Sequence, residues 1–221
     1  MTNKQEKEIE IVIKILKKHL QNHQLPIIEL IEEQTDDPEK VLIGTILSAR
    51  TKDEVTASAV RKLFKKVNKI SDLKKLSEKE IQKLIYPVGF YKNKAKYLKQ
   101  LPITLEKEFK GVLPDIVEEL IKLPGVGRKT ANLVIAVGFK KPALCIDIHC
   151  HRIPQRIGWL VSKTPYETEM KLRKKLPKKH WMIFNTIFVS FGQNLCRPVS
   201  PYCSKCPIKK YCKRIGVKTT R

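Results

Sequence analysis

Apolar residues recur at helical spacing along most of the chain, and this periodicity limits the fold more than any other feature. Residues 6–20 carry such a stripe, formed by Ile9, Val12, Ile13, Leu16 and Leu20. Alternation of the kind that a half-buried strand needs never extends beyond about four residues. The best strand candidate, residues 139–146, contains Pro142, which cannot donate to a ladder. The sequence therefore predicts an all-α fold with many short helices.

Proline, glycine and capping residues mark where the predicted helices begin and end. Pro38 suits the first turn of a helix, Ser77 opens a capping box, and Gly138 suits a helix end. Pro102 predicts an interruption in a helix over residues 93–109. Further helices are predicted over residues 53–65, 114–121, 128–137, 148–158, 165–175 and 181–195.

The charge of the chain narrows the class of partner. Its 45 Lys and Arg residues outnumber 22 Asp and Glu residues, which gives a formal net charge of +23 at pH 7. Such an excess favours a polyanionic ligand, although a Lys-rich solvated surface would give the same count. A disordered polycation is excluded, because the 42% hydrophobic content is enough to bury a core.

No segment predicts export or membrane insertion. Residues 1–16 alternate charge with Ile and Val, and they lack the hydrophobic region of a signal peptide. No apolar stretch approaches the ~20 residues of a membrane-spanning helix. We therefore expect a cytoplasmic protein, or a nuclear one in a eukaryote, without a membrane among its partners.

Four of the six cysteines fall in one turn-rich loop near the C-terminus, at Cys196, Cys203, Cys206 and Cys212. Disulfides are disfavoured without a secretion signal, which leaves zinc or an iron–sulfur cluster. Structural zinc usually takes two close pairs of cysteines. This loop has one close pair with a longer arm on each side, which favours a [4Fe–4S] cluster. The other two, Cys145 and Cys150, are predicted to be small buried hydrophobic residues.

The segment Leu123–Lys129 (LPGVGRK) joins two predicted short helices. Gly125 and Gly127 permit positive φ and close approach of the backbone to a ligand. They also leave successive N–H groups at the start of the next helix, where the helix dipole favours an anion. A DNA phosphate is the simplest such anion for a basic chain, while a plain tight turn fits the two glycines equally well.

Lys129 and Asp147 are the candidates for chemistry. Lys129 begins a predicted helix, whose positive end and nearby basic residues favour the neutral amine of a nucleophile. Taken alone, it is more simply one of many exposed lysines. Asp147 precedes a helical run, so its first expected role is an N-cap. Its carboxylate could also move a proton or stabilise a cationic sugar. His149 and His151 are candidates for hydrogen bonds to backbone or phosphate.

Taken together, these segments resemble the endonuclease III family of DNA repair glycosylases. The resemblance runs from about Ile28 to Cys212 and rests on the order and separation of its motifs. They are LSARTKDEVT, LIYPVGFYKNKAKY, LPGVGRKTAN, IDIHCHR and the four-cysteine loop, preceded by SFGQNLCRPVSP. This last segment is most similar to the archaeal and eukaryotic branch, which favours an archaeal cytosol as the compartment.

The resemblance implies two helical lobes with DNA in the cleft between them. Residues 30–141 would form a six-helix barrel that contains a helix-hairpin-helix at the glycine-rich turn. Residues 1–29 and 142–221 would form the second lobe, with a [4Fe–4S] cluster held by the four cysteines of the loop. The expected partner is double-stranded DNA with a damaged pyrimidine or an abasic site, bound by a monomer.

The implied activity is that of a bifunctional DNA glycosylase and apurinic/apyrimidinic (AP) site lyase of base excision repair, which removes oxidised pyrimidines. The steps would be base flipping, Schiff base formation by Lys129 and β-elimination, with Asp147 as the catalytic carboxylate. Phe90 would fill the vacated space as a wedge, although a core position would suit it equally well. The expected DNA contacts are Arg50, Phe90, Gly125, Val126, Gly127, Arg128 and His149.

Three positions depart from the family pattern and bear on substrate range. Arg50 stands where many members have Gln, and Ile148 replaces a Thr beside Asp147. Pro154 removes a backbone hydrogen bond and predicts an interrupted, kinked helix. One alternative function is a monofunctional glycosylase of the same superfamily that removes uracil, mismatched thymine or adenine, which Lys129 argues against. The other is a non-catalytic DNA-binding protein.

Overall fold

The computed structural model describes residues 3–20, 31 and 35–221, and within them it confirms the predicted all-α fold. The helices are α1 (Asn3–Leu20), α2 (Pro38–Ser48), α3 (Asp53–Phe64), α4 (Glu78–Ile85), α5 (Tyr91–Phe109), α6 (Val117–Leu120), α7 (Arg128–Leu133), α8 (Ile148–Ile157), α9 (Pro165–Lys175) and α10 (Trp181–Asn194). A π-helical turn, Val134–Gly138, extends α7. Short 3₁₀ segments lie at Ile70–Lys75, Lys178–His180 and Lys209–Tyr211. None of the described helices is long and apolar enough to span a membrane.

Helices begin at the predicted Pro38 and after the predicted capping residue Ser77. Before Pro38, the Asp37 side chain accepts a hydrogen bond of 2.9 Å from the N–H of Glu39. At α4, the N–H of Ser77 donates to the Glu80 carboxylate at 2.8 Å, and the N–H of Glu80 donates to Ser77 Oγ at 3.3 Å. These bonds satisfy N–H groups that have no partner within the first helical turn.

Three predictions about helix continuity are wrong. α5 continues through Pro102, and α8 continues through Pro154, without interruption. Both proline rings are buried, so apolar packing compensates for the backbone donor that each ring removes. The helix predicted over residues 114–121 is shorter than expected: it covers only α6, and residues 114–116 are not helical.

The chain divides into two compact units. One is made of residues 1–24 and 142–221, and the other of residues 25–141. The first contains α1, α8, α9, α10 and the cysteine loop, and the second contains α2 to α7. The boundary expected between residues 29 and 30 lies outside the described residues.

In the unit formed by both chain ends, α1 and α8 pack against α10. The predicted stripe of α1 is buried from Ile9 to Leu16, whereas the side chain of Leu20 lies outside the described residues. Phe188 on α10 stacks on Phe184 with ring centroids 4.2 Å apart. Cys145 and Cys150 are buried as predicted. This core forms the base from which α8 supports the cysteine loop.

In the other unit, α2 is the central helix, since every residue from Val41 to Leu47 is buried. It packs against α3, α5, α7 and the π-helical turn. The C-terminal end of α2 leads into a turn over residues 48–51, and this turn faces the start of α5. The packing of α2 therefore fixes the position of Arg50, a predicted DNA contact, relative to the start of α5.

Candidate active site and metal centre

A tight hairpin joins α6 to α7. The N–H groups of Leu123 and Val126 donate to the carbonyls of Leu120 and Leu123, each at 3.1 Å. Gly125 has a φ of 75°, and a Cβ there would lie 2.7 Å from the ring of Tyr97. Only glycine fits both the backbone angle and the space. The glycine-rich segment thus forms the predicted helix-hairpin-helix.

The start of α7 carries Lys129 on an open surface. Gly127 is the N-cap, without a side-chain cap, and a Cβ there would meet no atom within 4 Å. Lys129 is the second helical residue and is exposed, while Arg128 lies 3.7 Å from Glu118 in an ion pair. The Val126 side chain is buried. A DNA contact at this position would therefore come from its backbone.

Asp147 is the N-cap of α8, as predicted. Its Oδ1 accepts hydrogen bonds from the N–H groups of His149 at 2.9 Å and Cys150 at 2.8 Å. Both bonds use the same oxygen, and the residue is partly exposed. The neighbouring Ile148 is 69% exposed. The cap therefore fixes the orientation of the carboxylate.

The two predicted histidines are held by side chains of their own unit. Arg152 Nη2 donates to His149 Nδ1 at 3.1 Å. His151 Nδ1 and Thr168 Oγ1 share a hydrogen bond of 2.6 Å. Arg152 therefore orients His149, whereas His151 takes part in the packing of α8 on α9.

Arg50 and Phe90 form an exposed pair. The guanidinium carbon of Arg50 lies 5.6 Å from the centroid of the Phe90 ring, within reach of a cation–π contact. Phe90 is 60% exposed, so the alternative that it is a core aromatic is wrong. Both residues have positive φ, 54° for Arg50 and 57° for Phe90.

The four cysteines of the loop line one cavity, beneath which lie apolar residues such as Ile153 and Phe191. Among the described residues, no three His, Cys, Asp or Glu side chains converge on a single metal ion. Four thiols around one apolar cavity are a donor set of the kind that a [4Fe–4S] cluster takes.

Burial affects these thiols strongly. It raises the pKa of the Cys206 thiol to about 11 and also raises the pKa of Cys212 above its usual value. Thiolates, which are the metal-binding form, need positive charge nearby, and the iron of a bound cluster would supply most of it. The cavity is lined by Arg156, which supplies such a charge.

Arg156 fastens the cysteine loop to α8, and the sequence analysis missed it. This side chain is 8% exposed. Its guanidinium donates to the carbonyls of Arg197 at 2.6 Å and Pro198 at 2.5 Å, and to Cys196 Sγ at 3.6 Å. Arg152 adds a bond of 2.8 Å to the carbonyl of Cys196. Their spacing of four residues on one helix face was the available signal, but it does not name the partner.

The residues after Cys212 return across the loop. The N–H of Ile215 donates to the carbonyl of Arg156 at 3.0 Å, and the N–H of Arg221 donates to the carbonyl of Pro201 at 2.9 Å. The loop and this tail also present exposed cations, namely Lys205, Lys209, Lys210, Lys213 and Arg214. The cysteine loop is thus held from both sides and remains basic on its surface.

Comparisons with known proteins agree with this geometry. Residues 43–178 match the model of the HhH-GPD superfamily base excision DNA repair protein. The chain is 42% identical to Endonuclease III of Thermotoga maritima over 92% of this chain and 91% of that protein. It is 40% identical to Endonuclease III-like protein 1 of Mus musculus over 78% of this chain, and it spans 59% of that longer relative.

Solved structures of Endonuclease III bound to DNA are similar over nearly the whole chain. One is a non-covalent Endonuclease III–DNA complex, with a TM-score of 0.82, 31% identity and 97% coverage of each chain. Another is a trapped Endonuclease III–DNA covalent intermediate, with a TM-score of 0.80, 30% identity and 97% coverage of each chain.

Proposed function

The chain belongs to the endonuclease III family of the HhH-GPD superfamily, and from this premise we propose that it removes oxidised pyrimidines from duplex DNA. It is a base excision repair DNA glycosylase with AP lyase activity. The observation that carries the proposal is the exposed Lys129 at the start of α7, directly after the glycine hairpin. A primary amine in that position gives the glycosylase a nucleophile that can also cleave the strand.

In the proposed reaction the damaged nucleotide first leaves the base stack, because its sugar is otherwise out of reach. The neutral amine of Lys129 attacks C1′ as the glycosidic bond breaks, and the base departs with the electron pair of that bond. Loss of a proton from nitrogen and opening of the sugar ring give a Schiff base. Removal of a C2′ proton then expels the 3′ phosphate, and water hydrolyses the Schiff base to release the enzyme.

Asp147 is proposed as the carboxylate of this reaction. Its cap bonds from His149 and Cys150 hold the carboxylate in one orientation. A fixed negative charge stabilises the cationic sugar that forms as the base leaves, and it can accept the proton lost from nitrogen. Ile148 offers no hydroxyl to this carboxylate, so Asp147 and water would move the protons of this reaction.

The proposed cofactor is a [4Fe–4S] cluster held by Cys196, Cys203, Cys206 and Cys212. When bound, it supplies iron–thiolate bonds that fix the loop. Arg156 offsets part of the negative charge of the ligands through its contact with Cys196 Sγ and holds the adjoining backbone. Since the ligands must stay reduced, we propose a reducing compartment, cytoplasmic or nuclear, and favour an archaeal cytosol.

The proposed partner is double-stranded DNA with a damaged pyrimidine or an abasic site, bound by a monomer. The backbone of Gly125–Gly127, Arg128 and His149 would contact phosphates, which position the protein without reading sequence. Arg50 and Phe90 would occupy the space of the flipped nucleotide. Each phosphate contact lowers the logarithm of the affinity by about 0.9 per logarithmic unit of salt.

Borohydride trapping tests the proposal directly. The wild type, mixed with a thymine glycol duplex or an abasic duplex, should yield a covalent protein–DNA adduct, because borohydride reduces the Schiff base. Lys129→Gln should yield no adduct while it still binds the abasic duplex. Lys107→Gln, which alters another exposed lysine of the same unit, should behave as the wild type. A wild type without an adduct on abasic DNA would overturn the lyase mechanism.

The substrate class needs its own assay. Duplexes that contain thymine glycol, dihydrouracil, uracil or 8-oxoguanine are incubated with enzyme and analysed with and without alkaline workup. We expect cleavage at the two oxidised or reduced pyrimidines without alkali. Release of uracil alone, with nicks only after alkali, would instead identify the monofunctional alternative.

A further inference from the structure

The turn after α2 holds Arg50 in a conformation that rarely suits a large residue. Ala49 has φ −55° and ψ 118°, Arg50 has φ 54°, and the N–H of Thr51 donates to the carbonyl of Ser48 at 3.0 Å. These values describe a type II turn, whose third position normally takes Gly or Asn. Arg50 is therefore strained, and such strain persists only where the surroundings impose it.

Phe90 has the same kind of uncommon backbone conformation in a second turn. The N–H of Tyr91 donates to the carbonyl of Val88 at 3.1 Å, and Phe90 has φ 57° and ψ 32° at the start of α5. The exposed ring of Phe90 and the exposed guanidinium of Arg50 face each other across the two turns. Both side chains lie outside the core, so buried contacts beneath the two turns must hold their backbone in place.

Lys94 connects the two turns. Its N–H donates to the carbonyl of Phe90 at 3.1 Å. Its Nζ donates to the carbonyls of Leu47 at 2.8 Å and Ala49 at 2.6 Å, and to Thr51 Oγ1 at 3.2 Å. An ammonium has three N–H groups, and each finds an acceptor at the C-terminal end of α2, where the helix dipole favours a cation.

Gly89 lies where the two turns meet. Its N–H donates to Thr51 Oγ1 at 3.2 Å. A Cβ at this position would lie 2.5 Å from the carbonyl oxygen of Arg50, so the backbones of the two turns are in direct contact. One turn therefore cannot rotate without displacing the other.

Packing alone does not explain a lysine at this site. Lys94 is 5% exposed, and burial lowers its pKa to about 8. Its acceptors are neutral groups, so the desolvation of the ammonium is not repaid by an opposite charge. A methionine would fill similar space without that penalty. What only the ammonium provides is three hydrogen bonds that hold the strained turn in place.

We propose that Lys94 is a positioning residue that joins Arg50 and Phe90 into one rigid wedge for the gap left by a flipped nucleotide. Lys94 itself touches no DNA. This inference rests on the proposed function, since it assigns the wedge a role in lesion recognition. Rigidity matters because an inserted side chain recovers the unstacking penalty only when it stays in the gap.

The test compares Lys94→Met with wild type on two duplexes of equal length. One contains a tetrahydrofuran abasic analogue beside a 2-aminopurine, and the other is undamaged. We expect Lys94→Met to lose about tenfold in affinity for the abasic duplex, with undamaged binding within about twofold of wild type. The rise in 2-aminopurine fluorescence that accompanies wedge insertion should also be lost.

Lys99→Met is the matched control. Lys99 lies on the same helix, and its Nζ donates to the carbonyls of Lys74 at 3.0 Å and Leu76 at 2.7 Å, outside both turns. This variant loses the same kind of bond and should discriminate the two duplexes as the wild type does. An equal loss of discrimination in Lys99→Met would overturn the proposal.

A second background separates positioning from general stability. In an Arg50→Ala, Phe90→Ala protein the wedge is absent, so adding Lys94→Met should cause no further loss of abasic-duplex affinity. A further tenfold loss there would overturn the proposal. Should Lys94→Met not fold, Gly89→Ala takes its place and must give the same selective loss. A wild type that does not discriminate the duplexes contradicts the proposed function itself, whereas a discriminating Lys94→Met contradicts only this inference.

Discussion

Arg156 and Lys94 stabilise irregular backbone in the two units by the same means, but with different support. Each is a buried cation, 8% and 5% exposed, that donates to backbone carbonyls. Arg156 acts on the cysteine loop, where a bound cluster would add bonds of its own. Lys94 acts on the turn at residues 48–51, which is also closed by the Thr51–Ser48 backbone bond and supported by Gly89. The turn is thus held by bonds within the protein, whereas the loop would share the task with the proposed cofactor.

Buried and surface cations that bind backbone carbonyls also account for part of the positive charge. Several other cations also donate to backbone carbonyls rather than to carboxylates. They include Lys99 to Leu76 at 2.7 Å, Lys171 to Val161 at 2.6 Å and Lys175 to Trp159 at 2.6 Å. Part of the excess of +23 is therefore used inside the fold, and the number of lysines overstates the surface available to DNA.

The largest expected effect comes from removing a cluster ligand. Cys203→Ser should give a colourless, poorly folded protein, because the loop then loses both an iron–thiolate bond and the cofactor that orders it. Visible absorbance and iron content measure the loss, and Cys145→Ser, which alters a buried cysteine outside the loop, should keep the colour. A brown and fully active Cys203→Ser protein would show that Cys203 is not a required ligand of the cluster.

Arg156→Met should have the next largest effect, a loss of about 3 kcal/mol in unfolding free energy. The carbonyls of Arg197 and Pro198 would lose their buried donors, and the cluster would be released sooner on heating. The measurement is a thermal melt followed by visible absorbance and by circular dichroism. Arg197→Met, which removes an exposed cation next to the same backbone, should change little. Equal melts for both variants would contradict the assigned role of Arg156.

The next largest effect is a pH dependence of stability that arises from the lowered pKa of Lys94. Burial lowers its pKa from 10.5 to about 8, so between these values the unfolded chain binds this proton more strongly than the native protein does. Stability therefore rises with pH across this window, by an amount on the order of 1 kcal/mol, and below a pH of about 8 it no longer depends on this proton. Denaturant unfolding at the two ends of the window measures the contribution. The same contribution should be missing from Lys94→Met; an identical pH profile in that variant would exclude it.

The smallest effect tests the strain in the turn. Arg50→Gly should raise the unfolding free energy by about 0.5 kcal/mol, because glycine adopts the left-handed conformation without steric penalty. Arg61→Gly, at an exposed site inside α3, should lower it by about 1 kcal/mol. Denaturant titrations of both variants give the two signs. A destabilised Arg50→Gly would mean that the turn held by Lys94 contains no strain to relieve.

Local patterns predicted much of the fold and of the site. Ser77 and Asp147 cap the helices that they were predicted to start, because a cap depends on neighbours within three residues. The cysteine spacing predicted which thiols share a cavity for a similar reason. Pro102 and Pro154 were misjudged, since burial of their rings depends on helices distant in the sequence. The exposure of Phe90 could not be predicted, because a hydrophobic side chain near a turn suits core and surface alike.

The sequence by itself determined most of the helices, the hairpin with Lys129, the cap at Asp147 and the set of thiols that line one cavity. Each of these depends on residues close together in the chain. Only the tertiary structure decided that Lys94 meets the carbonyl of Ala49, 45 residues away, and that Arg156 reaches the carbonyl of Arg197, 41 residues away. A lysine or arginine can donate to any carbonyl, so the side chain does not specify its acceptor. The packing of the helices selects it.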